Sequence, residues 1–228
     1  FADILYALNE IPGLARIRFT SPHVHFMNDK FIRAIAELPK VCKCFHIPLQ
    51  SGSNRMLKLM RRSYTAEEYL DCVGKIKAAV PDVNFTTDII VGFSTETEED
   101  FEMTRNVMRE VVYDMAYIFR YSPREGTKSA ADYPDDVSEE TKHERNQILL
   151  ADLEAGAAER NARFKGTLQE VLVEGVSKRN QERWTGRTGL NKVVNFIPSP
   201  SVSVGDLVNV RITRTTANSL FGELCGDE

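Results

Sequence analysis

Three stretches of this chain gather polar side chains and glycine directly after β-rich runs. The first is His46-Ile-Pro-Leu-Gln-Ser-Gly-Ser53. Parallel α/β folds bind ligands where their strands end. Gln50, Ser51 and Ser53 would place an amide, two hydroxyls and backbone N–H groups at such an end, beside a helix start. That set suits an anionic or carboxylate-bearing ligand, and a helix-capping turn accounts for the same residues. The second stretch is Asp88-Ile-Ile-Val-Gly-Phe-Ser-Thr-Glu96. Gly92 permits a positive φ or close backbone approach, and Glu96 suits the positive end of a helix. The third is Tyr121-Ser-Pro-Arg-Glu-Gly-Thr127, where Arg124 reads equally as an anion contact or a surface cation.

The terminal third carries a different chemistry. Lys178, Arg179, Arg183, Arg187 and Lys192 face only Glu182 within that stretch, and Trp184 is the sole tryptophan. Basic groups neutralise phosphates and an aromatic can stack on a base. A tryptophan filling a core and a solvated basic face are the plainer readings. The cysteines Cys42, Cys44, Cys72 and Cys225 form no C-x-x-C or zinc-like set and read as small thiols. His23 and His46 read as hydrogen-bonded structural histidines.

The elements that must position these groups follow from periodicity and caps. Residues 2–10 read as a helix with Ile4, Leu5 and Leu8 on one face, and residues 14–19 as a strand. Asn28 or Asp29 caps a helix carrying Phe31, Ile32 and Ile35. Residues 41–48 are strand-like, Ser53 caps a short helix, and Thr65 with Glu68 forms a capping box. A strand over 84–91, a helix from Thr97 and a strand over 115–119 complete the rhythm. Strand alternating with helix predicts a parallel sheet. Four strand signals are too few for a closed eight-strand barrel, so half a TIM-like barrel fits. Residues 123–134 read as a loop and 138–164 as one long helix. Beyond Gly166, five short strand signals predict a small OB-like all-β barrel. The expected division is thus an α/β part over 1–137, a connecting helix over 138–164 and a β-barrel over 165–228.

Composition narrows the function classes. With 42% hydrophobic and 27% charged residues among 228, the chain can fill a core. No apolar run approaches the roughly 20 residues that span a bilayer, and no leader pattern opens the sequence. The net charge is −4, so nothing draws the chain as a whole to nucleic acid. The residues from Phe164 onward hold eight Lys and Arg against seven Asp and Glu, so the basic stretch is a local feature. Neither G-x-x-x-x-G-K-[ST] nor G-x-G-x-x-G occurs, which argues against an ordinary nucleotide-dependent α/β enzyme.

The ordered set Arg18-Phe-Thr-Ser-Pro-His23, His46–Ser53, Met60-Arg-Arg62, Asp88–Phe93 with Glu96, and Tyr121–Thr127 resembles the methylthiotransferase family of radical S-adenosylmethionine (SAM) enzymes. The similarity runs along essentially the whole chain. The stretch Thr185–Phe196 resembles the TRAM domain of the MiaB-type branch, which acts on adenosine 37 of tRNA. The resemblance implies the C-terminal part of such an enzyme: part of its radical SAM barrel plus the TRAM domain. It implies SAM as cofactor and two [4Fe–4S] clusters whose thiolate ligands lie outside this chain, so the chain alone should be inactive and holds no metal ligands or radical-forming residues of its own. In the intact enzyme a 5′-deoxyadenosyl radical would abstract hydrogen from C2 of the isopentenylated base, and a methylthio group would follow. By match to the motifs, Gln50, Ser51, Ser53, Arg62, Asp88, Val91, Gly92 and Glu96 are the expected SAM-binding residues. Tyr121, Arg124, Thr127, Trp184, Arg187, Asn191 and Lys192 are expected on the substrate side. The implied partner is the anticodon arm of tRNA, in the cytoplasm, with neither a membrane nor a stable protein partner. The family's usual Pro-Gly-Glu after Gly-Phe is here Ser94-Thr95-Glu96, and Val24 follows His23 where Pro is common. A methylthiotransferase acting on another tRNA base or on a ribosomal protein, or a stand-alone RNA-binding module, are the alternatives.

Overall fold

The computed structural model describes residues 1–20 and 23–225. The α/β part contains α1 (Ala2–Asn9), α2 (Asp29–Glu37), β1 (Cys44–His46), α3 (Asn54–Leu59), α4 (Ala66–Ala79), β2 (Asn84–Val91), α5 (Glu98–Val111) and β3 (Met115–Arg120). The strands form an open parallel sheet in the order β1-β2-β3. The strand expected over 14–19 is reduced to one parallel bridge, Ile17 to Val41. The strand expected over 41–48 is reduced to Cys44–His46; towards its end Pro48 lacks the N–H a ladder needs. Asn28 is the cap of α2, accepting from Phe31 N at 3.0 Å. The Thr65–Glu68 box opens α4, and a second box, Thr97–Asp100, opens α5.

One side of the sheet is packed. Phe45, Ile47, Phe85, Ile89 and Val91 are buried with Phe31, Ile35, Tyr69, Ile76 and Phe101 from the helices. The other side is open: Tyr117 and Phe119 alternate outward on β3 and are each about half exposed, at 51% and 54%. The stretch 123–134, expected as loop, contains the short helix α6 (Lys128–Asp132), capped by Thr127. Five residues hold too little periodicity to register as a helix in sequence.

Ser138 caps α7 (Glu139–Ala162), which packs on β3 and leads into the β-barrel. There β4 (Leu168–Val176), β5 (Trp184–Thr188), β6 (Val193–Phe196), β7 (Leu207–Thr215) and β8 (Leu220–Leu224) close in the order β4-β5-β6-β8-β7. Only the β6–β8 pair is parallel. Alternate residues Val171, Val173, Val194, Phe196, Val210, Ile212 and Leu220 fill the interior, as the period of two requires. Gly186 and Gly222 leave room where a Cβ would collide with the carbonyls of Leu172 and Arg211.

Candidate functional site

The C-terminal ends of β2 and β3 open onto a cavity of about 540 Å³. Its lining includes Gln50, Arg62, Asp88, Tyr121, Arg124 and Thr127. Six of the residues singled out from sequence therefore meet at one rim. Phe93, Phe119 and Tyr133 add aromatic walls, and Met60 and Ile90 add apolar ones. Sequence reasoning missed these, although alternation along β3 places Phe119 on the side of Tyr117.

Gln50 is held in place by backbone. Its N–H donates to Asp88 O at 2.8 Å, its carbonyl accepts from Ile90 N at 2.9 Å, and its φ is +69°. A left-handed non-glycine residue clamped on both sides marks a turn whose conformation is imposed by its surroundings. His46 bridges the floor, with Nδ1 at 2.9 Å from Thr86 Oγ1 and Nε2 at 3.3 Å from Asp88 Oδ2. It is thus hydrogen-bonded to the sheet, whereas His23 is hydrogen-bonded locally, its Nδ1 accepting from His25 N. Tyr121 packs on Phe93 with ring centroids 4.7 Å apart, and its hydroxyl lies 2.8 Å from Ser129 Oγ. Thr127 caps α6 and donates to Arg124 O at 2.7 Å, which shapes the loop that carries Arg124.

The other expected SAM-binding residues take structural positions. Ser51 is fully buried with its Oγ 3.1 Å from Thr104 Oγ1. Ser53 caps α3 and donates to Asp100 Oδ1 at 2.6 Å. Burial would raise the Asp100 carboxyl, but hydrogen bonds from Arg55, Ser53 and Thr97 outweigh it and hold the group well below the usual carboxylate range. Val91 is buried in the core. Gly92 has φ +70°, and a Cβ there would collide with the Lys142 side chain of α7. Its N–H donates to Glu96 Oε2 at 2.7 Å, and Glu96 in turn pairs with Arg145 at 2.9 Å. Burial pushes the Glu96 carboxyl up despite the Gly92 N–H and Arg145. Gly92 thus gives close approach to a helix, while its neighbour Phe93 reaches the cavity.

In the barrel, Trp184 is half-buried and packs on the interior. Arg187 pairs with Glu174 at 3.2 Å and reaches Asn191 Oδ1 at 3.3 Å. Asn191 occupies a left-handed turn position with φ +63°. Lys192 departs from the expectation of a phosphate contact: it is buried in the seam against the α/β part, with Nζ 2.7 Å from Asp114 Oδ1. Arg160 Nε reaches the same oxygen at 2.9 Å, and Asp114 Oδ2 accepts from Phe85 N at 2.9 Å. Arg16 donates to Arg187 O at 2.5 Å, and Asn161 to Thr216 O and Ala217 O.

Residues 1–108 match the Radical SAM superfamily, and residues 162–225 match the TRAM domain. The α/β part is thus similar to the Radical SAM superfamily, and the β-barrel to the TRAM domain. Over 98% of its length it is 47% identical to a tRNA-2-methylthio-N(6)-dimethylallyladenosine synthase of Thermoanaerobacter pseudethanolicus, of which it covers 47%. It is 50% identical to the synthase of that name from Acetivibrio thermocellus, again over 98% of the chain and 46% of the relative. The chain thus spans about half the length of the curated relatives it matches. Coproporphyrinogen III oxidase of Escherichia coli, a radical SAM enzyme, superposes with a TM-score of 0.53 at 11% identity. The match covers 91% of this chain and 50% of that one, a likeness of fold. Among the described residues no helix is long and apolar enough to cross a membrane, and no group of three or more His, Cys, Asp and Glu side chains could hold a metal ion.

Proposed function

We propose that this chain is the SAM-binding and RNA-binding portion of a tRNA methylthiotransferase that modifies N6-isopentenyladenosine 37. The observation that carries the proposal is the cavity rim, where Gln50, Asp88 and Arg124 meet on a radical SAM segment joined to a TRAM barrel. The names of the relatives support the same substrate.

The residues at the rim fit SAM. Asp88 offers a carboxylate to an ammonium or ribose hydroxyl, Gln50 an amide, and Arg62 and Arg124 cations for a carboxylate. Phe93, Tyr121 and Phe119 supply flat apolar walls for a purine. When bound and reductively cleaved, SAM supplies the 5′-deoxyadenosyl radical. The role of these side chains is to fix its orientation at the strand ends and exclude water. The described residues do not fit an iron–sulfur cluster, which needs thiolates at close spacing. Two [4Fe–4S] clusters are assigned to a longer protein, and the chain alone is proposed to be inactive. TRAM engagement of the anticodon arm, through Arg187, Asn191 and Trp184, would bring the base to the rim in the cytoplasm.

The test reconstitutes the longer protein with iron, sulfide, SAM and reductant, then measures tRNA nucleosides by mass spectrometry. Methylthiolated isopentenyladenosine is expected. Its absence, with Gln50→Ala and Asp88→Ala variants unchanged in SAM binding, overturns the proposal.

A further inference from the structure

We propose that Arg214, Phe221 and Arg183 form a stacking platform for an unpaired RNA base on the outer face of the TRAM barrel. The proposal rests on the RNA-binding part of the reading above and assigns a site to it. Pairing across the barrel runs Thr185 to Asn195, Asn195 to Phe221 and Phe221 to Arg214. These residues alternate with the buried Gly186, Val194, Phe196, Leu220 and Gly222, so they share the outer surface.

At the end of this row the Arg214 guanidinium carbon lies 3.6 Å from the centre of the Phe221 ring, and that of Arg183 lies 5.8 Å away. At 3.6 Å the guanidinium lies in van der Waals contact with the ring. Phe221 is half-buried beneath it and Arg214 is exposed. Stacked on the ring, Arg214 is held with less freedom than a solvated arginine, so ordering it on binding costs less entropy. A guanidinium plane is itself a surface on which an unstacked base can lie.

Charge fixes the kind of occupant. Among the described residues neither Arg183 nor Arg214 pairs with a carboxylate, whereas Arg187 on the same barrel is tied to Glu174. Lys178 and Arg179, exposed in the loop before β5, extend the unpaired charge. Aromatic and planar cationic groups beside free charge match a polyanion with flat apolar faces, which is single-stranded RNA. Asn195 and Thr185 add donors and acceptors for a base edge. The strand order is that of an OB-like barrel; Thr185 and Asn195 lie on its second and third strands, the face on which such barrels take oligonucleotides, and the row continues from them onto the fifth and fourth strands, where Phe221 and Arg214 stand.

The test measures fluorescence anisotropy with the whole chain and three probes: labelled oligoadenylate, a short RNA duplex and a tRNA transcript. Arg214→Lys keeps the charge but removes the plane, and Phe221→Leu keeps the apolar cover but removes the ring. Each should weaken oligoadenylate binding by about 5- to 100-fold, with thermal unfolding close to that of the parent. The slope of log affinity against log salt should change by less than about one. Arg214→Ala should lower that slope by about one. Parental affinity in both conservative variants overturns the platform, and if tRNA binding stays tight the tRNA reading survives. Variant-sensitive oligoadenylate binding, with tRNA bound no better than the duplex, supports the platform and removes the tRNA reading. Polyglutamate competing as well as oligoadenylate, and losing as much in both variants, assigns the surface to an acidic protein and overturns the proposal.

Discussion

Lys192 Nζ lies 2.7 Å from Asp114 Oδ1, and both side chains are more than nine-tenths buried in the seam between the parallel sheet and the TRAM barrel. Burial pushes the Lys192 amine down, and the Asp114 carboxylate opposes that shift. The same carboxylate holds Arg160 and the Phe85 N–H, so one acid joins three parts of the chain. Asp114→Ala leaves the buried Lys192 without its carboxylate and removes that of the half-buried Arg160, and should cost about 3–5 kcal/mol. Lys192→Met keeps volume and leaves Asp114 paired with Arg160, so its cost should be clearly smaller. Urea unfolding of the two variants measures the difference, and equal costs would contradict the role given to Asp114.

Arg187 and Lys192, adjacent in the basic stretch, should part company in RNA binding. Arg187 is half-buried, with Glu174 and Asn191 as neighbours, and remains within reach of solvent. Arg187→Ala should reduce the salt slope of tRNA affinity by up to about one. Lys192→Met should leave the slope unchanged and register as lost stability. Titrations at several salt concentrations distinguish the two.

The strand-end residues should separate in the same way. Asp88 lines the cavity, while the Ser51 hydroxyl is spent on Thr104. Asp88→Ala should weaken S-adenosylhomocysteine binding by about tenfold or more, as expected for a lost charged hydrogen bond. Ser51→Ala should leave affinity nearly unchanged and cost about 1 kcal/mol of stability. Calorimetric titration and thermal melts report the two quantities separately.

Asp100 gives the chain an acid-sensitive contact. Its folded carboxyl is held below its unfolded value by Arg55, Ser53 and Thr97, against the effect of burial. The resulting stability is fully present above the unfolded value of about 4 and is lost as pH falls below it. Asp100→Asn should cost about 2 kcal/mol at neutral pH and flatten the stability profile below about pH 4. Urea midpoints measured across that range provide the check.

Gly92 meets two demands at once, a φ of +70° and contact with Lys142. Gly92→Ala should destabilise the chain by more than about 1 kcal/mol through backbone strain and displacement of α7. A thermal melt reads this directly. An unchanged melting temperature would mean that Lys142 moves aside freely.

Much of the architecture was legible from local signals. The box at Thr65, the caps at Asn28 and Ser53 and the helix starts expected at Thr97 and Ser138 mark helices that the structure contains. Alternation over 168–176 and 193–196 gave barrel strands because period-two burial is written in the residues themselves. Less legible were residues 14–19, where strand-like composition yields a single bridge, and Lys128–Asp132, too short to show a period.

By itself, the sequence determined most of the segments that become helix or strand, the polar set at the strand ends, and the family that the motifs resemble. These depend on neighbouring residues and on the spacing of types along the chain. The tertiary structure alone decided which polar groups face the cavity. Gln50 and Asp88 do, while Ser51, Ser53 and Glu96 turn inward to Thr104, Asp100 and Arg145. It likewise took Lys192 from a basic stretch into a buried pair with an acid 78 residues away. The physical reason is that a polar side chain in a turn has several partners of similar strength. Only packing between distant segments settles which one it meets and whether water can reach it.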